Sequence, residues 1–170
     1  FPPAQHQAAT TNTSRRMQRR KYKKDYALLG LSFKEIVNKI NKKSNLIAIT
    51  TRYSTQHNLI IQLINEIKKV FKNIPIVLGG PHATFNYKEL LNAGSDYVIF
   101  GEGEIPLYNL CLFLQGKIKQ SQLNGMASKN ISSKKIKKKL QSYPLIKNID
   151  TLPFPIRELF PLDNYYREKS

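Results

Sequence analysis

Hydrophobic positions recur along this chain in two alternating rhythms. Phe33, Ile36, Val37 and Ile40 stand at helical spacing, which predicts a helix over about 33–43. Ser32 and Glu35 supply a capping-box pair at its start, where each residue satisfies a free N–H of the first turn. Leu46–Thr50 is a short apolar run suited to a buried strand. The alternation then repeats. Ile60, Leu63, Ile64, Ile67 and Phe71 share one face of a helix over 57–72, and Pro75–Leu78 is a strand stopped by Gly79 and Gly80. Asn86 and Glu89 open a short helix over 87–92, and Asp96–Phe100 is a third strand stopped by Gly101, Glu102 and Gly103. Leu107, Leu110, Cys111 and Leu114 form the core face of a last helix over 105–115. Pro106 is tolerated in its first turn and Gly116 closes it.

Strands alternating with amphipathic helices predict an α/β fold, a Rossmann-like (flavodoxin-like) sheet of three or four mainly parallel strands with helices on both faces. Right-handed crossovers put the loops Thr50–Gln56, Gly79–Asn86 and Gly101–Glu104 on one edge. Open α/β sheets bind ligands at that carboxyl edge. This domain is expected over 25–127. Residues 1–24 lack periodicity and are expected to be disordered, with order beginning near Asp25. A possible strand at Leu123–Ala127 leads into 128–170, read as a basic hairpin or extended linker.

Charge changes the picture only locally. The 170 residues carry 28 Lys+Arg against 11 Asp+Glu, a net +17. Seven basic residues and no acid fall in 1–24. Lys129, Lys134, Lys135, Lys137, Lys138 and Lys139 stand together later, again without an acid. Such runs are usually solvated, although a basic tail can also hold a phosphate backbone. One cysteine excludes a disulfide framework and an all-cysteine cluster built by this chain alone. No apolar run reaches the roughly 20 residues that span a bilayer. With no secretory-signal pattern, a reduced cytoplasmic setting is expected. Phe1 at the start and a pattern broken at Ser170 suggest a piece of a longer protein.

Taken singly, the candidate residues point to no chemistry. Gly79-Gly80 serves a turn or a close approach. Gly101-Glu102-Gly103-Glu104 is no dinucleotide fingerprint, because Pro106 occupies the third glycine position. Glu102 and Glu104 suit a helix N-terminus. His57 and His82 have no Cys, Asp or Glu at metal-ligand spacing. Cys111 reads as core, and Ser54 has no identifiable base partner. No catalytic constellation is visible.

In order, the segments Ile76–Thr84 (IVLGGPHAT), Asp96–Glu104 (DYVIFGEGE), Asn124-Gly125 and Asp150–Pro155 (DTLPFP) say more. From about Gly30 to Tyr165 the chain resembles the N-terminal cobalamin-binding domain of cobalamin-dependent radical S-adenosylmethionine enzymes. The resemblance implies a cobalamin-binding module that positions its cofactor for a radical domain in cis, carrying the iron–sulfur cluster and S-adenosylmethionine downstream. The parent would be an enzyme of methyltransferase or cyclase type, with no catalytic residue in this chain. It also implies that Thr50 and Thr51 meet the cobalamin nucleotide tail, that Gly79 and Gly80 leave room for it, and that Gly101, Glu102 and Gly103 line the same edge. Two features depart from the family. The first strands ending in a Pro-Pro loop are absent or replaced, and no Asp-x-His-x-x-Gly supplies a lower histidine ligand. Alternatives are a basic nucleic-acid-associated protein and a ligand-free degenerate α/β fragment.

Overall fold

A computed structural model describes residues 19–23, 26–129 and 145–159. Four strands form the main sheet in the order β3 (Ile47–Thr50), β4 (Ile76–Gly79), β5 (Tyr97–Ile99) and β6 (Met126–Ser128). The first three are parallel, with Ile47 opposite Ile76 and Val77 opposite Tyr97. β6 returns antiparallel to β5, with Ile99 opposite Met126. It starts three residues later than the strand expected at Leu123, and Leu123 is instead a buried loop residue. The fold is thus the expected Rossmann-like α/β sheet, with a mixed edge.

Register assigns the two faces. Ile76 and Leu78 point to a core with Ile60, Ile64 and Ile67 of α2 (His57–Val70), and with Leu90 and Leu91 of α4 (Tyr87–Asn92). Val77 and Ile99 point the other way, onto Leu110 of α5 (Glu104–Leu114), Leu123 and Met126. The apolar stripe of α2 is the one read from the sequence, and it buries three isoleucines. On α5 the stripe is narrower than expected: Leu110 is buried, while Leu114 is exposed. One polar junction ties the first layer together. Asp96 Oδ2 accepts Lys68 Nζ at 2.7 Å and the Ile76 N–H at 2.8 Å, and Lys68 also donates to the Ile74 carbonyl at 3.0 Å.

Several elements differ from expectation. β1 (Arg19–Lys23) pairs antiparallel with β2 (Tyr26–Leu29), so a strand lies inside the segment read as disordered. Ladder bonds are backbone bonds, and a charged sequence can make them where it offers no apolar alternation to read. α1 (Phe33–Lys39) has the full Ser32/Glu35 capping box but ends four residues early. Asn41 explains the stop: its side chain accepts the Lys43 N–H at 2.9 Å and its carbonyl accepts Ser44 N–H at 3.0 Å, a turn that competes with the helix. The glycine loop contains a helix, α3 (Pro81–Phe85), with Pro81 in its first turn. Of the terminal segment, 145–159 holds two short 3₁₀ turns. Residues 1–18, and Lys134–Lys139 of the lysine run, lie outside the described residues.

Candidate functional site

The three strand-to-helix loops meet at the carboxyl edge and are laced together through backbone. Thr51 N–H and Oγ1 both donate to the Gly79 carbonyl, at 2.7 and 3.0 Å, and His82 N–H donates to the Thr51 carbonyl at 3.3 Å. Thr84 Oγ1 donates to Gly80 O at 3.3 Å and accepts the Gly101 N–H at 3.4 Å, joining the second loop to the third.

This lacing separates the sequence-predicted residues into two sets. Thr51 is 1% exposed. Gly80 sits at φ 98°, ψ 170°, and a Cβ there would lie 2.5 Å from the Thr51 carbonyl oxygen. On its Cβ side, Gly80 is therefore closed off by the Thr51 backbone. Thr50 and Gly79 are paired in register on the Val77 face of the sheet. Thr50 and Ala48 are exposed there, and a Cβ at Gly79 or at Gly103 would meet nothing within 4 Å. Among the described residues, α5 covers Val77 and Ile99 on this face, and Ala48 and Thr50 on its β3 side stay exposed. Gly101 and Glu102 are exposed at the third loop, and Glu102 Oε2 accepts the Ile146 N–H at 2.9 Å, holding the terminal segment over that loop.

A second constellation went unread in the sequence. His57, the first residue of α2, places Nδ1 3.0 Å from His82 Nε2, and its Nε2 lies 3.0 Å from Glu89 Oε2 on α4. His82 Nδ1 is 3.1 Å from both Ser54 Oγ and Asn86 Nδ2. His82 is 4% exposed. Burial, and then the neighbouring His57, hold it below the ordinary histidine value, with Glu89 pulling the other way. Ser54 therefore has an imidazole partner after all. The available signal was topological: both histidines follow neighbouring parallel strands, whose loops must lie side by side. Among the described residues no three His, Cys, Asp or Glu side chains gather as a metal site.

Residues 16–111 match the family described as B12 binding domain. The chain belongs to the B12-binding domain family. Over 138 residues this B12-binding domain chain is 28% identical to the uncharacterized methyltransferase PH0819 of Pyrococcus horikoshii. That alignment takes in 79% of the chain but 29% of the relative, so the chain spans under a third of that protein's length. Among solved structures it is similar to the N-terminal domain of the hypothetical protein TM0182 of Thermotoga maritima, at 26% identity and a TM-score of 0.39 over 54% of this chain and 70% of that one. It is also similar to the radical S-adenosylmethionine methyltransferase TsrM of Kitasatospora setae, at 20% identity and a TM-score of 0.47 over 56% of this chain and 19% of that one. No helix among the described residues is long and apolar enough to cross a membrane.

Proposed function

We propose that this B12-binding domain holds cobalamin along the bare half of the second sheet face and presents it to a radical S-adenosylmethionine domain of the same protein, where the iron–sulfur cluster and S-adenosylmethionine are bound. The observation that carries this reading is the strip of small residues beside α5. Ala48 and Thr50 are exposed, and Gly79 and Gly103 are bordered by open space. A side chain at either glycine would fill that cradle. Thr50, Gly79 and Gly103 contact the nucleotide tail directly, whereas Thr51 and Gly80 hold the two loops in register. Gly101 and Glu102 form the rim. Bound cobalamin supplies a cobalt that carries a methyl group or changes oxidation state, and the protein supplies position and surroundings.

Neither histidine of the edge ligates the cobalt in this arrangement. Both ring nitrogens of His57 and both of His82 already have partners within 3.1 Å. The test is titration of the chain with hydroxocobalamin followed by reduction and electron paramagnetic resonance. Expected are a saturable spectral change, its weakening by Gly79→Leu, and no nitrogen splitting that His82→Gln removes. Absence of saturable binding, or a protein-imidazole splitting, refutes the reading.

A further inference from the structure

Ser54, His82, His57 and Glu89 form a continuous relay from four different segments: the loop after β3, α3, the start of α2, and α4. Their order is hydroxyl, imidazole, imidazole, carboxylate, with successive separations of 3.1, 3.0 and 3.0 Å. We propose that Ser54 is a nucleophile activated by this relay, accepting acyl groups from esters or thioesters at the carboxyl edge of the sheet. This site shares no residue with the cobalamin cradle.

Proton positions along the relay follow from one another. Asn86 Nδ2 lies 3.1 Å from the His82 carbonyl oxygen, which can only accept, so the amide group facing it is the NH2. In the tautomer that serves the relay, His82 Nδ1 is the unprotonated, accepting nitrogen, and the same NH2 approaches it at 3.1 Å. His82 Nε2 carries the proton and donates to His57 Nδ1. His57 Nε2 in turn carries its proton and donates to Glu89 Oε2. In that tautomer Ser54 Oγ, 3.1 Å from Nδ1, donates its hydroxyl proton there. That is the arrangement of a serine and its general base. Asn86 shares the lone pair, which fixes the ring and tempers its basicity.

Burial explains why two imidazoles serve better than one. His82 is enclosed and burial holds its pKa below the ordinary value, which favours the neutral ring with a lone pair at Nδ1. When the Ser54 oxygen attacks an acyl carbon, its O–H bond breaks and the proton passes to His82 Nδ1. The Nε2 proton can then move to His57 Nδ1, so the positive charge settles beside the Glu89 carboxylate rather than in the buried ring. The new bond is a serine ester. The alkoxide or thiolate leaves with the proton returned along the relay, and water releases the acyl group by the reverse sequence. Ser54 is exposed, so an acyl donor reaches it. The groups that set the pH response are Ser54, His57, Asn86 and Glu89, the polar and charged neighbours of His82.

The experiment treats the chain with a fluorophosphonate, in which attack breaks the P–F bond and fluoride leaves with the serine proton. Intact mass and peptide mapping follow the adduct. One adduct on Ser54 is expected, absent in Ser54→Ala and formed about 100-fold more slowly in His82→Gln. His82 is buried and its variant can lose the fold. Glu89→Gln, at a side chain 67% exposed, keeps the test open and is expected to slow labelling about fivefold, as for loss of an exposed charge pair. The labelling rate should also fall with acid, as the neutral form of His82 is lost. No adduct, an adduct elsewhere, or a Ser54 adduct whose rate is the same in Glu89→Gln overturns the proposal.

Discussion

Replacing Gly80 by alanine separates the two glycines of the second loop more sharply than any other change. At φ 98° and ψ 170° the backbone occupies a region that only glycine adopts at ease. The added Cβ would also stand 2.5 Å from the Thr51 carbonyl oxygen, a backbone atom fixed by the strand pairing behind it. Relief requires the second loop to move away from Thr51, which breaks the His82 N–H to Thr51 bond of 3.3 Å. Backbone strain of about 2 kcal/mol and a lost hydrogen bond of about 1 kcal/mol make roughly 3 kcal/mol in all. At about 2–4 °C per kcal/mol for a chain of this size, Tm should drop by about 6–12 °C. Gly79→Ala is the control. It lies in a strand with nothing within 4 Å of its Cβ, so its Tm should stay within about 2 °C while hydroxocobalamin binding weakens. Thermal melts followed by circular dichroism measure both. A Gly80→Ala melt within 2 °C of wild type would show that Thr51 and Gly80 are not packed as described.

Further outcomes follow from the same layer. Asp96→Ala strips partners from Lys68 Nζ and the Ile76 N–H, and should cost about 2 kcal/mol in a urea melt; an unchanged midpoint would refute the role of this junction. His82 makes stability depend on pH. Its folded value lies below the ordinary 6.5, so its contribution is complete above pH 6.5 and is lost as pH falls from there through the lowered folded value. Urea midpoints at successive pH values should fall over that window in wild type and less steeply in His82→Gln; equal slopes would refute this. Ser32→Ala removes the hydroxyl that accepts the Glu35 N–H and should cost about 1 kcal/mol, read as a small shift in the same melts.

What was legible in the sequence tracks where periodicity and packing agree. α4 occupies the residues expected, and α2 buries the expected isoleucines, because a one-sided apolar stripe has a single way to meet a sheet. The capping box at Ser32 was equally readable, being a contact between residues three apart. α3 was missed because five residues are too few to show a period, and its start depends on a glycine conformation. β1 offered four cations around a single tyrosine and no apolar alternation. The Ser54–Glu89 relay was invisible for a different reason. Its members are separated by up to 35 positions and meet only because parallel strands deliver their loops to one edge. Thr50 and Thr51 looked equivalent in sequence, yet Thr50 ends β3 exposed while Thr51, one residue on, is buried.

β3 has a bearing on how this protein behaves in a tube. Among the described residues it is hydrogen-bonded to β4 alone, so the backbone groups along its outer side are a template for another chain's strand. Lys42, Lys43 and Arg52 flank it, and the whole chain carries +17. At low ionic strength that shared sign keeps copies apart. The Debye length shrinks from about 10 Å at 0.1 M salt to about 3 Å at 1 M. Concentrated salt, commonly added to keep basic proteins dispersed, therefore removes the repulsion that guards this edge and favours sticking of one copy to the next. Storage should be dilute in both protein and salt, and crystallisation trials should expect sheets continued across molecules.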